Sequence, residues 1–89
     1  MTRLELRHDR VQWRYAEGDE IVALDLSDSV YLAINQSGGR LWPALVEGAT
    51  RDDLVATLVD AYGISEDDAA RDVDAFVASL DERDLLERS

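Results

Sequence analysis

Apolar and polar side chains alternate along the first third of the chain and then change period. Val11-Gln12-Trp13-Arg14-Tyr15 places a large apolar group at every second position, the signature of a half-buried strand. Glu17-Gly18-Asp19 supplies turn residues, including a glycine that takes positive φ without steric cost. Ile21-Val22-Ala23-Leu24-Asp25-Leu26 follows as a second β-rich run, Ser27-Asp28-Ser29 as a tight turn, and Val30-Tyr31-Leu32-Ala33-Ile34 as a third strand. Runs joined by turns this short predict an antiparallel meander.

From Asn35 the period is helical. Asn35-Gln36-Ser37-Gly38-Gly39 can start a helix, and Leu41, Trp42, Leu45 and Val46 fall on one face of it. Pro43 would delete a hydrogen bond and clash with the preceding turn inside a helix, so it is expected near the first turn. That sets the helix start at about Gly38–Arg40, with Gly48 closing the helix. Thr50-x-x-Asp53 predicts a capping box for a second helix carrying Leu54, Leu58, Val59 and Tyr62, stopped by Gly63. Ser65-x-x-Asp68 caps a third, longer helix with the stripe Ala69, Val73, Phe76, Val77 and Leu80, and Leu85-Leu86 add an apolar end. The expected fold class is α+β. A three-stranded antiparallel sheet is followed by three helices, the parts list of a winged helix-turn-helix with the sheet first. Residues 11–86 form the single domain, and residues 1–10 an N-terminal segment outside it.

Composition narrows what such a domain can do. With 89 residues the chain buries one modest core. It contains no cysteine, which removes disulfides, thiolate nucleophiles and cysteine-based metal sites. All nine basic residues are arginine, so lysine Schiff-base chemistry is absent as well. Twenty acids give a net charge of −11, which repels phosphate backbones and anionic membrane surfaces. The charge is concentrated: −3 over residues 1–35 and −8 over residues 36–89. No apolar run is long enough for a membrane span, and no basic-then-apolar leader opens the chain, so a soluble cytoplasmic protein is expected.

The candidate reactive groups fit bland roles better. His8 is the single histidine, without a nucleophile or co-ligands nearby in sequence. Glu66, Asp67, Asp68, Asp72 and Asp74 lack the glycine bend and alternating oxygens of a calcium loop, and acids at a helix start stabilise its dipole. Asp28-Ser29-Val30 resembles the modified serine of an acyl carrier protein, but there the serine opens a helix and here a β-rich run follows. Neither a metal nor a cofactor is expected, and no enzyme. Most aromatics lie on apolar periodicities; Trp13 and Tyr15 are the candidates for an exposed sheet face. The sheet itself is what remains. The run Val30–Ile34 carries neither charge nor proline, the usual protection of an edge strand. If it lies at the edge it is a template for an added peptide strand; the sequence equally allows it to lie centrally or under the third helix.

The ordered set Tyr31-Leu32-Ala33-Ile34-Asn35, Ser37-Gly38, Leu41-Trp42, Glu47-Gly48-Ala49-Thr50, Asp72-Val73-x-x-Phe76-Val77-x-x-Leu80 and Leu85-Leu86 resembles the PqqD-like RiPP recognition element. The resemblance spans residues 11–86 and implies a non-catalytic protein that binds the leader segment of a ribosomally made precursor peptide. It implies a leader strand added along Asp28, Ser29, Val30, Tyr31, Leu32, Ala33 and Ile34. The facing helix wall is then expected at Asp67, Ala70, Val73, Asp74 and Val77, with the two acids meeting basic leader residues. Length and the Ser37-Gly38…Leu41-Trp42 segment are similar to the stand-alone proteins of lasso-peptide biosynthesis. Those deliver the precursor to a separate cysteine leader peptidase, ahead of an ATP-dependent cyclase, and their leaders present a Tyr and a Pro to apolar pockets. Two alternatives stand beside this reading. One is a peptide chaperone for a radical-SAM enzyme of pyrroloquinoline quinone biosynthesis. The other is a winged-helix nucleic-acid binder, opposed by a third helix offering only Arg71 and Arg83 among seven acids.

Overall fold

The chain opens with a strand that the alternation does not reveal. In the computed structural model, which describes residues 2–18, 20–34 and 36–89, β1 (Arg3–Leu6) is the centre of a small antiparallel sheet between β5 (Ala49–Thr50) and β6 (Leu86–Arg88). Leu4 pairs with Ala49 and Arg88, and Leu6 with Leu86. Leu4 and Leu6 are buried in the main core, so the segment before residue 11 belongs to the folded unit. Four residues with only two apolar positions are too few for a periodicity argument, and the partners lie more than 40 residues away.

The expected meander forms as β2 (Val11–Glu17), β3 (Glu20–Asp25) and β4 (Val30–Ile34), in the order β2-β3-β4. Register pairs Ile21 with Ile34, Ala23 with Leu32 and Asp25 with Val30, which turns Ile21, Ala23, Asp25, Leu32 and Ile34 towards the helices. Trp13 lies opposite Ala23 and shares that inner face. Its ring meets Trp42 edge-on with centroids 6.0 Å apart, and Tyr15 meets Trp13 at 5.5 Å. Trp13 is therefore half-buried against the core and not a solvent-facing ring, while Tyr15 stays about half exposed at the end of the stack. Each such edge-to-face contact contributes about 0.5–1.5 kcal/mol beyond burial.

The helices are α1 (Ser37–Glu47), α2 (Arg51–Tyr62) and α3 (Glu66–Glu82). The Thr50/Asp53 capping box is complete, Gly63 closes α2 in the left-handed region, and Ser65 caps α3. α1 begins earlier than Pro43 suggests, leaving that proline inside the helix nearly two turns from its start. The ring faces solvent, and the carbonyl left without its donor is that of Gly39, close to the helix start. Asp19 of the expected first turn and Asn35 of the expected helix start lie outside the described residues. Leu85-Leu86 is not a loose apolar end but the entry to β6, with both side chains buried. Thus, among the described residues, the order is β-β-β-β-α-β-α-α-β, two small sheets and three helices around the core of Trp42, Leu41, Leu45, Leu54, Leu58 and Val73.

Candidate functional site: the edge of β4 and the groove beside α3

The two edges of the meander are unlike. β2 carries charged side chains and a register shift between Tyr15 and Glu17, both of which discourage further pairing. β4 has neither, and no described strand pairs with its outer side. Among the described residues it is therefore an edge strand and not a central one. Its backbone N–H and C=O groups on that side form an open template.

Beside this edge runs a groove of about 540 Å³. Leu32, Ala33, Ile34, Gln36, Ser37 and Gly38 form one side, and Asp72, Ala75, Phe76, Ser79, Leu80 and Arg83 of α3 and its C-terminus form the other. The groove is held at this width by a close backbone approach. A Cβ on Gly38 would lie 2.9 Å from Phe76 Cε1 and 3.1 Å from Ile34 Cγ2, so glycine is what lets α1 start against the helix and the strand. The floor is apolar (Leu32, Ile34, Phe76, Leu80), and the two ends carry opposite charge, Asp72 and Arg83.

Arg83 is tied to the β3–β4 turn. Its Nη1 stands 3.7 Å from Oδ2 of Asp25, whose side chain is fully buried. Asp25 Oδ1 accepts from the backbone N–H groups of Ser27 (3.0 Å) and Asp28 (3.5 Å), which closes the turn leading into β4. Leu26 N–H donates to Arg10 O at 2.9 Å and anchors the same turn, and Ser29 takes a positive φ of 56°.

The structure brings together only part of the residue set expected from the sequence. Leu32, Ala33 and Ile34 line the groove. Asp28 and Ser29 sit in the preceding turn, with Val30 exposed at the start of the edge. Tyr31, 72% exposed, points to the opposite face of the sheet beside Arg14, Val22 and Leu24. The helix wall needs a correction. Val73 is fully buried beneath the helix, and Asp67, Ala70, Asp74 and Val77 do not line the groove. At about 100° per residue, Asp72, Ala75, Phe76, Ser79 and Arg83 share one flank of the helix. Asp67, Ala70, Asp74 and Val77 lie on the other side of the buried stripe. There Arg51 donates twice to Asp74 (2.8 and 2.9 Å), which holds that carboxyl below the usual carboxylate range and raises the guanidinium. Asp74 and Val77 line a separate hollow of about 360 Å³ with Thr2, Leu4, Arg51 and Arg88. The apolar stripe of α3 borders both flanks equally, so periodicity cannot choose between them. The useful signal was the Gly38-Gly39 doublet, both buried, which marks where another element approaches α1.

Groups of three or more His, Asp or Glu side chains that could hold a metal do not occur among the described residues. Among the described residues no helix is long and apolar enough to cross a membrane.

Residues 20–86 match the family model described as Coenzyme PQQ synthesis protein D (PqqD). The chain belongs to the PqqD family. Among solved structures this PqqD-family chain is similar to "TbiB1 in Complex with the TbiA(beta) Leader Peptide", with a TM-score of 0.83, 28% identity, and coverage of 93% of this chain and 94% of that one. It is also similar to "Lasso peptide synthetase B1 complexed with the leader peptide", with a TM-score of 0.79, 25% identity, and coverage of 94% and 96%. No curated protein matches it. The family span begins at β3 and ends at Leu86, so it contains both sides of the groove, and the structural likeness extends over nearly the whole chain. The fold and the PqqD-like RiPP recognition element expected from the sequence are those found.

Proposed function

We propose that this protein binds the leader segment of a ribosomally synthesised precursor peptide, without catalysing a reaction itself, in lasso-peptide biosynthesis. The leader adds as a strand to the free side of β4 and lays alternate side chains into the groove against α3. Main-chain hydrogen bonds supply affinity, and the apolar floor supplies selectivity. The observation that carries the reading is the coincidence of an unprotected strand edge with an apolar groove along its length. The two similar structures, each holding a leader peptide and each matched over more than nine tenths of its length, support the ligand class. The second of them, a lasso peptide synthetase B1, also favours the lasso pathway over service to a radical-SAM enzyme of quinone-cofactor synthesis, the reading that the family description favours. In this role the protein hands the precursor to a separate cysteine leader peptidase, and a cyclase acts afterwards, all in the cytoplasm.

Titration of the 15N-labelled protein with a synthetic lasso-precursor leader peptide tests the proposal. Amide shifts should concentrate in Val30–Ile34 and along Asp72–Arg83. A leader that bound while leaving the Val30–Ile34 amides unmoved would sink the strand-addition mode, and no shifts at 100 μM (on the order of an 5–6 kcal/mol interaction) would sink leader recognition.

A further inference from the structure

The groove is electrically polar along its length, and that polarity has a direction relative to β4. Phe76 lies near the strand's end, since Phe76 and Ile34 both border the space beside Gly38. Arg83 reaches Asp25, which is paired with Val30 at the strand's start. α3 therefore runs antiparallel to β4. Asp72, one turn before Phe76, stands at the Gln36–Gly38 end, and Arg83 at the Val30 end. Eleven helical residues separate the two charges, about 16 Å at 1.5 Å per residue. A strand rising about 3.4 Å per residue covers that distance in roughly five residues.

We infer that the groove selects a peptide with a basic residue at its N-terminal end and an acidic residue four or six positions later, in the pattern basic, apolar, acidic on one face of the strand. This rests on the strand-addition reading above and specifies its ligand. Both pairings of the meander are antiparallel, and antiparallel pairing is the more stable per residue, so the added strand runs opposite to β4 and thus alongside α3. Its first groove-facing residue meets Asp72 and its last meets Arg83. Groove-facing side chains recur every second residue, which makes the separation an even number. The Arg83 guanidinium has five N–H donors and uses one nitrogen, at 3.7 Å, towards Asp25, so the buried carboxylate holds the fork in place without consuming it. The inference runs against net charge. A protein at −11 is expected to prefer ligands that are basic throughout, yet the local field at Arg83 asks for an acid.

The test is selection of a phage-displayed library of random 12-residue peptides against the full chain, followed by synthesis of the enriched peptides and NMR mapping on the labelled protein. Peptides that shift the Val30–Ile34 amides should carry Lys or Arg first and Asp or Glu four or six residues later. Replacing the acid by its amide should weaken binding about two- to fivefold, as an exposed ion pair does. D72R, at an exposed position, should change the selected first residue from basic to acidic while leaving the acid at the other end. Peptides that add to β4 but are basic at both ends, or that show the reverse order, overturn the inference and leave strand addition standing. If no peptide is enriched, or enriched ones leave β4 unmoved, strand addition fails and the charge order fails with it.

Discussion

Removing residues 1–7 should cost this protein about half of its stability. Leu4 is 6% and Leu6 1% exposed, and burying a leucine fully stabilises by about 1.5–3 kcal/mol, so the two side chains together contribute roughly 3–6 kcal/mol. The loss extends beyond them. β1 is the central strand of its sheet, so β5 and β6 lose the strand they pair with among the described residues, and Leu85 O loses the hydrogen bond from Arg7 N–H at 2.8 Å. A domain of 89 residues has a total stability of about 4–13 kcal/mol. Urea unfolding followed by circular dichroism compares residues 1–89 with residues 8–89. The truncated chain should show a midpoint lowered by at least 1 M, using a slope of about 1–3 kcal/mol/M, or no transition at all. Leu6→Ala alone should lower stability by about 2–5 kcal/mol, which separates loss of core packing from loss of chain. An unchanged midpoint in both would refute the placement of β1 in the core, and residues 8–89 would then be the whole folding unit.

Other expectations follow from single contacts. Asp25→Ala removes the acceptor for Ser27 and Asp28 N–H and should cost about 1–2 kcal/mol by chemical denaturation, while Asp25→Asn, which keeps the oxygen, should cost less. Gly38→Ala places a methyl 2.9 Å from Phe76 Cε1 and 3.1 Å from Ile34 Cγ2 and pushes the ring into the groove; leader affinity measured by calorimetry should fall severalfold, and the overpacking should cost about 1–3 kcal/mol of stability, only partly offset by the helix propensity of alanine. The Asp81 carboxyl, bound by the Arg88 guanidinium, is held below its ordinary value of 3.8, as is Asp74 by Arg51. A depressed folded-state value means a stabilising contribution that is complete above the unfolded value and disappears as pH falls through the folded one. Denaturation midpoints should therefore be flat above about pH 5 and decline below about pH 4, and Asp81→Asn should lower the plateau and reduce the decline.

Much of this fold was legible in the chain. A period-two run announced β2, β-rich runs between turns announced β3 and β4, and the Thr50/Asp53 and Ser65/Asp68 caps announced the starts of α2 and α3 to the residue. The edge character of Val30–Ile34 was legible only as an option, because absence of charge is compatible with an edge or a centre. What escaped was set by long-range pairing. β1, β5 and β6 comprise four, two and three residues, too short to show a period, and are strands only because they find one another across the chain. The flank of α3 expected from the sequence is not the one that borders the groove beside β4, for a related reason. The stripe Ala69, Val73, Phe76 and Leu80 identifies the buried line of the helix but not which neighbour lies to each side. That choice is made by the Gly38 contact with Phe76 and by Arg83 reaching Asp25, both tertiary.

The pairing of β1 with β6 also brings the two ends of the chain together. Arg3 and Ser89 exchange backbone hydrogen bonds at 2.9 and 3.0 Å, and this junction lies by the hollow on the flank of α3 that faces away from the groove. A unit in which Arg3 and Ser89 meet side by side, away from the β4 edge, can be spliced into a surface loop of another protein as a cassette. The host loop need only open by the width of one strand pair, about 5 Å, and the β4 edge remains outside the junction.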